Sequence, residues 1–437
     1  MIQEYEKDIA QRALEKAMKY GCDGCRVTLK KGTENELEVR DGETDRLHHS
    51  SGCQLTVDLY ADGKYSSVST NKISDEEISR LIRNGIKNCQ CLMADPYRLM
   101  PESQLYYKGN DVEMGLYDHN FRAITPEMKL STALSAIDEM KDPDGNVITA
   151  SAMVDDYEAH TYIISSNGFE GMESRSSYAL SASISVRDEG DSRPEAWWYI
   201  SSPHWDAMPK KGIGETALRR ALRKRGSRKT HSGRYTMIVE NMVVSQLLAP
   251  MIGAMKGEAL QQQSSFLTDK KGEAIASPQL TLTDNPLLTG HPGARCFDAE
   301  GIALRPMTVI ENGILCNYYI SHYIGRKMCA EPTTGATSIL LTPQGTESAE
   351  SMIASCVHGL FVTGFNGGNC NGATGDFSYG IEGFVIENGE LTAPFSEMIV
   401  TGNMLTLWKN LSKMGNDAPE FMAWSLPTMQ FEDVAVS

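Results

Sequence analysis

No apolar run in this sequence reaches the roughly 18 residues that a membrane-spanning helix requires. The opening residues, MIQEYEKDIAQRALEKA, are charged and amphipathic, unlike a secretory leader. None of the nine histidines is followed by Glu or stands four or five residues from another on a helical run, so the His-Glu-x-x-His helix of a zinc peptidase is absent. There is no G-x-S-x-G elbow around Ser264-Ser265, and the glycine-rich 364–383 stretch lacks the Lys-Ser/Thr of a phosphate loop. Gly212-x-Gly214 is too short for a dinucleotide fingerprint. Positive charge is scarce: the net charge of -16 repels phosphate, which weighs against a nucleic acid or an anionic membrane as partner. The ten cysteines follow no regular framework, and Cys22-x-x-Cys25 has no second pair at finger spacing. Reduced thiols in a cytoplasm fit this usage best.

What remains describes an ordinary α+β protein. The 437 residues, 41% hydrophobic, exceed the about 250–300 that one core accommodates. A helix is predicted over 3–20, where Ile9, Ala13, Leu14, Ala17 and Met18 share a face and Gly21 stops it. Two alternating runs follow, CRVTLKKGT and ENELEVRDGETDRL, then CQLTVDLYADGKYSSVST, with turns at Asp41-Gly42 and Asp62-Gly63. Further helices start at the caps Ser74 and Thr125, the latter with Pro126 at its first helical position. Several strands with an Asn167-Gly168 hairpin complete an N-terminal mixed α/β domain over 1–225. A β-rich C-terminal domain is expected over 232–437, its antiparallel sheets barrel-like around a buried helix at 241–260.

That helix lies in NMVVSQLLAPMIGAMKGEALQQQSSF, 241–266, which carries no charge before Lys256. Val243, Val244, Leu247, Leu248, Met251, Ile252 and Met255 recur at helical steps, and Pro250 is expected to kink them. Ahead of it, 210–229 holds nine Lys/Arg against Glu215, a segment of +8 that leaves -24 for the rest. A solvated helix face is the ordinary reading, with docking onto an acidic partner or onto the protein's own acidic body as the alternative. Val309-Ile310-Glu311-Asn312-Gly313 and Val385-Ile386-Glu387-Asn388-Gly389 echo each other as hairpin signals 76 positions apart. Between them, 364–384 spends seven glycines in 21 residues, a density that implies tight turns or close backbone approach. Exposed backbone of this kind can pair with an extended peptide. Gly367, Gly368, Glu258, Ser264, Ser265, His291 and Asp376 make up the candidate peptide-binding set, with no catalytic residue and no metal ligand among them. His291, with Asp298 and Glu300 nearby, is the best-placed titratable group, and an enzyme with its site there is a further possibility.

The blocks GEALQQQSSFLTDKKG, FDAEGIALRPMTVIENGILCNYYISHYIGRKM, TGDFSYGIEGFVIENGELTAPFSEMIVTGN and MGNDAPEF together resemble the TldD/PmbA family, long called modulators of DNA gyrase. The N-terminal half fits more loosely, through AQRALEKAMKYGCD, EVRDGETDRLHHSSG and YSSVSTNKISDEEI. The resemblance implies a cytosolic system of two homologous subunits that trims unfolded peptides. In it, the TldD type binds zinc through His-Glu-x-x-x-His on the helix matching 241–260, plus a cysteine near the C-terminus. This sequence has neither: Leu247 to Ile252 stand around the expected ligands, and FMAWSLPTM at 421–429 has no cysteine. It looks like the PmbA (TldE) type. The resemblance thus implies a non-catalytic subunit without a cofactor of its own, zinc being held by a TldD-like partner, or a homodimer when alone. The alternative is a stand-alone binding protein acting on DNA gyrase or its inhibitors.

Overall fold

The structure, a computed structural model, describes residues 1–109, 113–341 and 345–437. Chain order in the N-terminal half is α1 (Glu4–Lys19), β1 (Gly24–Arg40), β2 (Glu43–Ala61), β3 (Lys64–Thr70), α2 (Asp75–Cys91), α3 (Pro126–Asp138), β4 (Val147–Ser165), β5 (Glu170–Val186), β6 (Glu195–Ser202) and α4 (Ile213–Arg223). The predicted caps form: Ser74 accepts from the Glu77 amide and Thr125 from the Met128 amide. The six strands make one antiparallel sheet in the order β3-β2-β1-β4-β5-β6. Val27, Leu29, Leu37 and Val39 occupy odd positions of β1 and so share the face that the helices cover. On that face α1 and α2 pack against β1–β3, and α3 and α4 against β4–β6.

The two sequence runs before Asp41 are one 17-residue strand in the structure. Gly32, near the end of the first run, lies opposite Ala159 of β4, where a Cβ would stand 2.9 Å from the Glu158 carbonyl. Here the glycine marks a close backbone approach within a strand.

The C-terminal half runs β7 (Gly233–Val239), α5 (Ser245–Ala254), α6 (Gly257–Gln261), β8 (Leu282–Asp284), β9 (Met307–Glu311), β10 (Ile314–Leu315), α7 (His322–Met328), β11 (Ile339–Leu341), α8 (Ala349–Ala354), β12 (His358–Cys370), β13 (Asp376–Glu387), β14 (Glu390–Asn403), α9 (Met404–Lys409), β15 (Leu411–Met414), β16 (Trp424–Ser425) and β17 (Met429–Val436). Strands β14-β13-β12-β7-β17 close on themselves through Val400↔Val436, giving the expected barrel. It is not wholly antiparallel, since β12 and β7 run parallel, and so do β11 and β16 in the smaller sheet β10-β9-β8-β11-β16. Met237, Leu247, Leu248, Met251, Ile381, Val400, Trp408 and Phe431 belong to one continuous buried core.

The mid-chain helix is shorter and broken elsewhere than its pattern predicts. Residues 241–244 form turns, α5 ends at Ala254, and α6 resumes at Gly257. Pro250 sits inside α5, and the Trp408 indole donates to the Leu247 carbonyl at 3.3 Å. The break falls at Met255–Lys256 because Tyr319 crosses there. Its amide donates to the Met255 carbonyl (3.0 Å), and its own carbonyl accepts from the Gly257 amide (2.8 Å). A strand-like contact from a distant segment outcompetes the helical bonds.

The basic segment docks onto the protein itself. Arg220 makes a bidentate pair with Glu240 (2.6 and 2.7 Å), Lys224 reaches Glu382 (2.6 Å), and Lys229 stands 3.7 Å from Glu397. Arg220 also lies 5.1 Å over the Trp198 ring. Lys211, Arg219 and Arg225 remain exposed, so the solvated-face reading holds for part of the helix only.

Asp41-Gly42, Asp62-Gly63, Asn312-Gly313 and Asn388-Gly389 all have positive φ at both residues, the type I′ geometry that suits a two-residue hairpin. Gly42 has open space where a Cβ would be, whereas at Gly389 a Cβ would stand 2.5 Å from the Ala354 carbonyl. Gly42→Ala should therefore cost about 1 kcal/mol of backbone strain. Gly389→Ala should cost more, in a urea titration of both variants; equal losses would refute the close contact. For the docked helix, a double-mutant cycle on Arg220→Ala and Glu240→Gln should give a coupling of about 1–2 kcal/mol. Additive losses would show the pair to be idle.

Candidate functional site

The site grows from the shape of α5 and its continuation. Leu247, Leu248, Met251 and Ile252 turn into the core, which leaves Pro250, Gly253 and the backbone of Ala254 on the outer side. A glycine inside a helix costs about 1 kcal/mol relative to alanine. At Gly253 nothing stands within 4 Å of a would-be Cβ, so the helix presents an open, small-residue floor there. After α6 the chain bends back through Ser264, and the Phe266 amide donates to the Gly372 carbonyl at 2.9 Å. The loop between β12 and β13 is thereby laid beside α5. Pro250, Gly253, Ala259, Ser264, Cys370 and Tyr379 border a cleft of about 240 Å³.

The candidate residues divide into those at this cleft, those that support it and one that lies apart. Ser264 lines the cleft, exposed, its hydroxyl 3.3 Å from the Ala259 carbonyl. Ser265 is buried and structural: it donates to the Ala254 carbonyl and accepts from the Leu267 amide (2.9 Å), which ties off the end of α5. Glu258, exposed in α6, accepts from the Ser321 hydroxyl at 3.2 Å. Asp376 opens β13 and accepts from Asn403 (2.9 Å) and Thr374 (2.8 Å); these bonds hold its carboxyl below the usual range. It braces the loop that carries Gly372. Gly367 and Gly368 form a bulge in β12, both at positive φ. A Cβ at Gly368 would collide with the Ser378 carbonyl, whereas Gly367 faces open space. Gly368 is thus required by the fold.

His291 is not among the residues lining the cleft. It is buried, with Nδ1 3.1 Å from the Ser338 hydroxyl and no partner for Nε2 among the described residues. Asp298 and Glu300 do not converge on it. Asp298 accepts from the amides of Glu300 and Ile302 to close its own turn, and Glu300 pairs with Arg26 at 3.2 Å. Arg26 is held by Asp58 as well (2.8 Å), so this group joins the N-terminal sheet to the C-terminal half. Arg26 and the small floor at Gly253 went unread in the sequence; a glycine inside an otherwise apolar helix was the one available signal.

Zinc does not fit these residues. Positions 247–252 of α5 offer aliphatic side chains, Pro250 and Met251, and among the described residues no group of three His, Cys, Asp or Glu could hold a metal ion. The thiol at the cleft, Cys370, is pushed up by burial and then by Asp376, away from the thiolate a metal prefers.

Burial lowers the pKa of His291, a group that Asp284 alone raises. The unfolded side chain titrates near about 6.5, so below that pH the unfolded chain binds the proton first. Stability is complete above about pH 6.5 and falls with acidification until the lowered folded value is reached, by at most about 1.4 kcal/mol per pH unit. Thermal melts between pH 7 and 5 should therefore drop less steeply for His291→Gln than for the unsubstituted chain. Parallel curves would contradict the buried, neutral imidazole.

Comparison with known proteins places the chain in a family whose members are named metallopeptidases. The PmbA/TldA metallopeptidase family matches through its domain 1 at 25–89, its central domain at 119–225 and its C-terminal domain at 232–437. Metalloprotease PmbA of Escherichia coli O157:H7 is 25% identical over 95% of this chain and 93% of its own. A crystal structure from Bacteroides thetaiotaomicron, described as a candidate modulator of DNA gyrase, is 44% identical with a TM-score of 0.97 and full coverage of both chains. TldE from Thermococcus kodakarensis, at 19% identity and a TM-score of 0.86 over 98% of this chain and 100% of its own, shares the fold. The chain belongs to the PmbA/TldD metallopeptidase family.

Proposed function

We propose that this chain is a metal-free, non-catalytic subunit that completes a peptide-processing complex with a TldD-like, zinc-bearing homologue. One observation carries the reading: α5 stands where the resemblance puts a zinc helix, and its residues 247–252 are Leu, Leu, Ala, Pro, Met and Ile. Apolar side chains cannot ligate zinc or lower the pKa of a bound water, which is how such a centre makes its nucleophile. The helix instead serves the core, with Leu247, Leu248, Met251 and Ile252 buried. What the chain offers a substrate is backbone and shape: the cleft at Ser264 and Cys370, and the glycine-rich half of β12 with Gly367 at its surface. Both suit an extended, unfolded peptide better than a folded one. Action on DNA gyrase or its inhibitors gains less from the basic segment than its charge suggests, since Arg220 and Lys224 are paired with Glu240 and Glu382 of the same chain, while Lys211, Arg219 and Arg225 stay exposed.

The purified chain should carry no stoichiometric zinc by elemental analysis and should cleave no unfolded peptide alone. Adding a TldD-type homologue with an intact His-Glu-x-x-x-His should restore cleavage and shift the chain to a heteromer in size-exclusion chromatography. One zinc per chain, or peptidase activity without the homologue, overturns the reading.

A further inference from the structure

A second cleft lies between the N-terminal sheet and the barrel, apart from the one at Ser264. On one side is β6, the end strand of its sheet, whose outer edge has no neighbouring strand among the described residues. On the other is β12. Its parallel ladder with β7 stops at Val362↔Val239, and the last rung is the Glu240 amide donating to the Val362 carbonyl at 3.0 Å. Beyond Val362, among the described residues, Gly364, Phe365 and 368–370 of β12 pair with β13 alone, Thr363, Asn366 and Gly367 lie in bulges of that ladder, and 366–369 are exposed. Two open strand edges thus flank one cleft, bordered by Trp197, Trp198, Gln246, Thr363, Gly364 and Phe365. Open edges are ready templates for another strand, and folded proteins usually cover or charge them.

A second observation points into the same space. The Thr363 hydroxyl is buried, the residue being only 9% exposed, yet its Oγ1 has no hydrogen-bond partner among the described residues. A hydroxyl left in that state is costly, and a ligand group that bonds to it recovers the loss. Trp197 is 52% exposed, large for an indole in a folded chain, and its ring lies 5.6 Å from that of Tyr199. The cations at the rim are already neutralised, Arg220 by Glu240 and Lys224 by Glu382, so a charged occupant finds no free counter-charge there. The cleft measures about 130 Å³. That is below the roughly 300 Å³ at which small-molecule pockets begin and suits one large side chain.

We propose that this cleft binds one stretch of extended polypeptide, uncharged at its centre. Its backbone adds to the edge of β12 at 363–366, and one large apolar side chain seats against Trp197 and Trp198. The proposal deepens the reading of the chain as a peptide-handling subunit, because it assigns the recognition to this chain's own residues. The Thr363 hydroxyl takes its missing hydrogen bond from the added strand. Specificity then falls on side-chain size and lack of charge at one position, while backbone pairing leaves the flanking sequence free.

The test uses the full chain without any homologue, so its outcome is independent of whether a heteromer forms. An end-blocked fluorescent peptide, Ser-Thr-Phe-Thr-Ser, is titrated by polarisation. It is compared with the same peptide carrying Asp for Phe and with one N-methylated on alternate amides. Saturable binding of the first, lost in both others, is expected. Trp197→Ala, at an exposed position, should weaken it about tenfold, the loss typical of an aromatic anchor. Thr363→Val should weaken it several-fold while leaving the melting temperature equal or higher, which a purely structural threonine would not do. No saturable binding at millimolar peptide, equal binding of the N-methylated peptide, or an unchanged affinity in Trp197→Ala overturns the proposal. If binding holds and no heteromer forms, the subunit reading fails and this one stands.

Discussion

The apolar face of α5 has to be kept from water, and the C-terminal half is arranged to do so. Leu247, Leu248, Met251 and Ile252 enter one core with strand residues such as Met237, Ile381, Val400 and Phe431. Burying each such side chain is worth about 1.5–3 kcal/mol, far more than the intrinsic helix preference of a ten-residue segment containing proline. Tertiary packing therefore sustains this helix. Closing the barrel between Val400 and Val436 leaves none of its five strands with an open side along the closure, and Trp408 caps the arrangement with its bond to Leu247. A helix so committed has no side chain left for chemistry on its inner face. Its outer face, reduced to Pro250 and Gly253, contributes surface and space.

Electrostatics joins the two halves. With a net charge of -16, the chain would gain from any cation placed among its acids, and the one basic stretch supplies it. Arg220–Glu240 and Lys224–Glu382 are partly shielded and charge-assisted, and they outweigh an ordinary exposed pair. Arg26 does the same at a second point, bridging Asp58 and Glu300. The apolar cluster of Tyr106, Ile163 and Phe169 with Cys296 and Phe297, and backbone bonds such as that from the Tyr107 amide to the Gly301 carbonyl, join the halves as well, with clefts left between them.

Much of the fold was legible. Turns with Asp-Gly or Asn-Gly read correctly because a type I′ turn needs φ > 0 twice, a constraint on two residues alone. Caps at Ser74 and Thr125 read correctly for the same reason, since donor and acceptor lie three residues apart. The misreadings share an origin as well. The break after Ala254 depends on Tyr319, the continuity of β1 through Gly32 depends on β4, and the docking of α4 depends on Glu240 and Glu382. None of these partners is a sequence neighbour. Of the candidate peptide-binding residues, Ser264 borders the cleft, Ser265 and Asp376 brace segments beside it, and His291 lies elsewhere, because proximity along the chain says little about a loop's destination.

By itself the sequence determined which motifs are missing, where the hairpins turn, which segments are helical, and which family the chain resembles. These are properties of residue type and of spacings of a few residues. Tertiary structure decided where the mid-chain helix breaks, which strand edges stay open, that Arg220 and Lys224 of the basic segment pair with the protein's own acids, and that the clefts lie at Gly253 and Thr363. Those outcomes rest on contacts between residues tens to hundreds of positions apart. Their energies are set by what is buried together, and no local pattern encodes that.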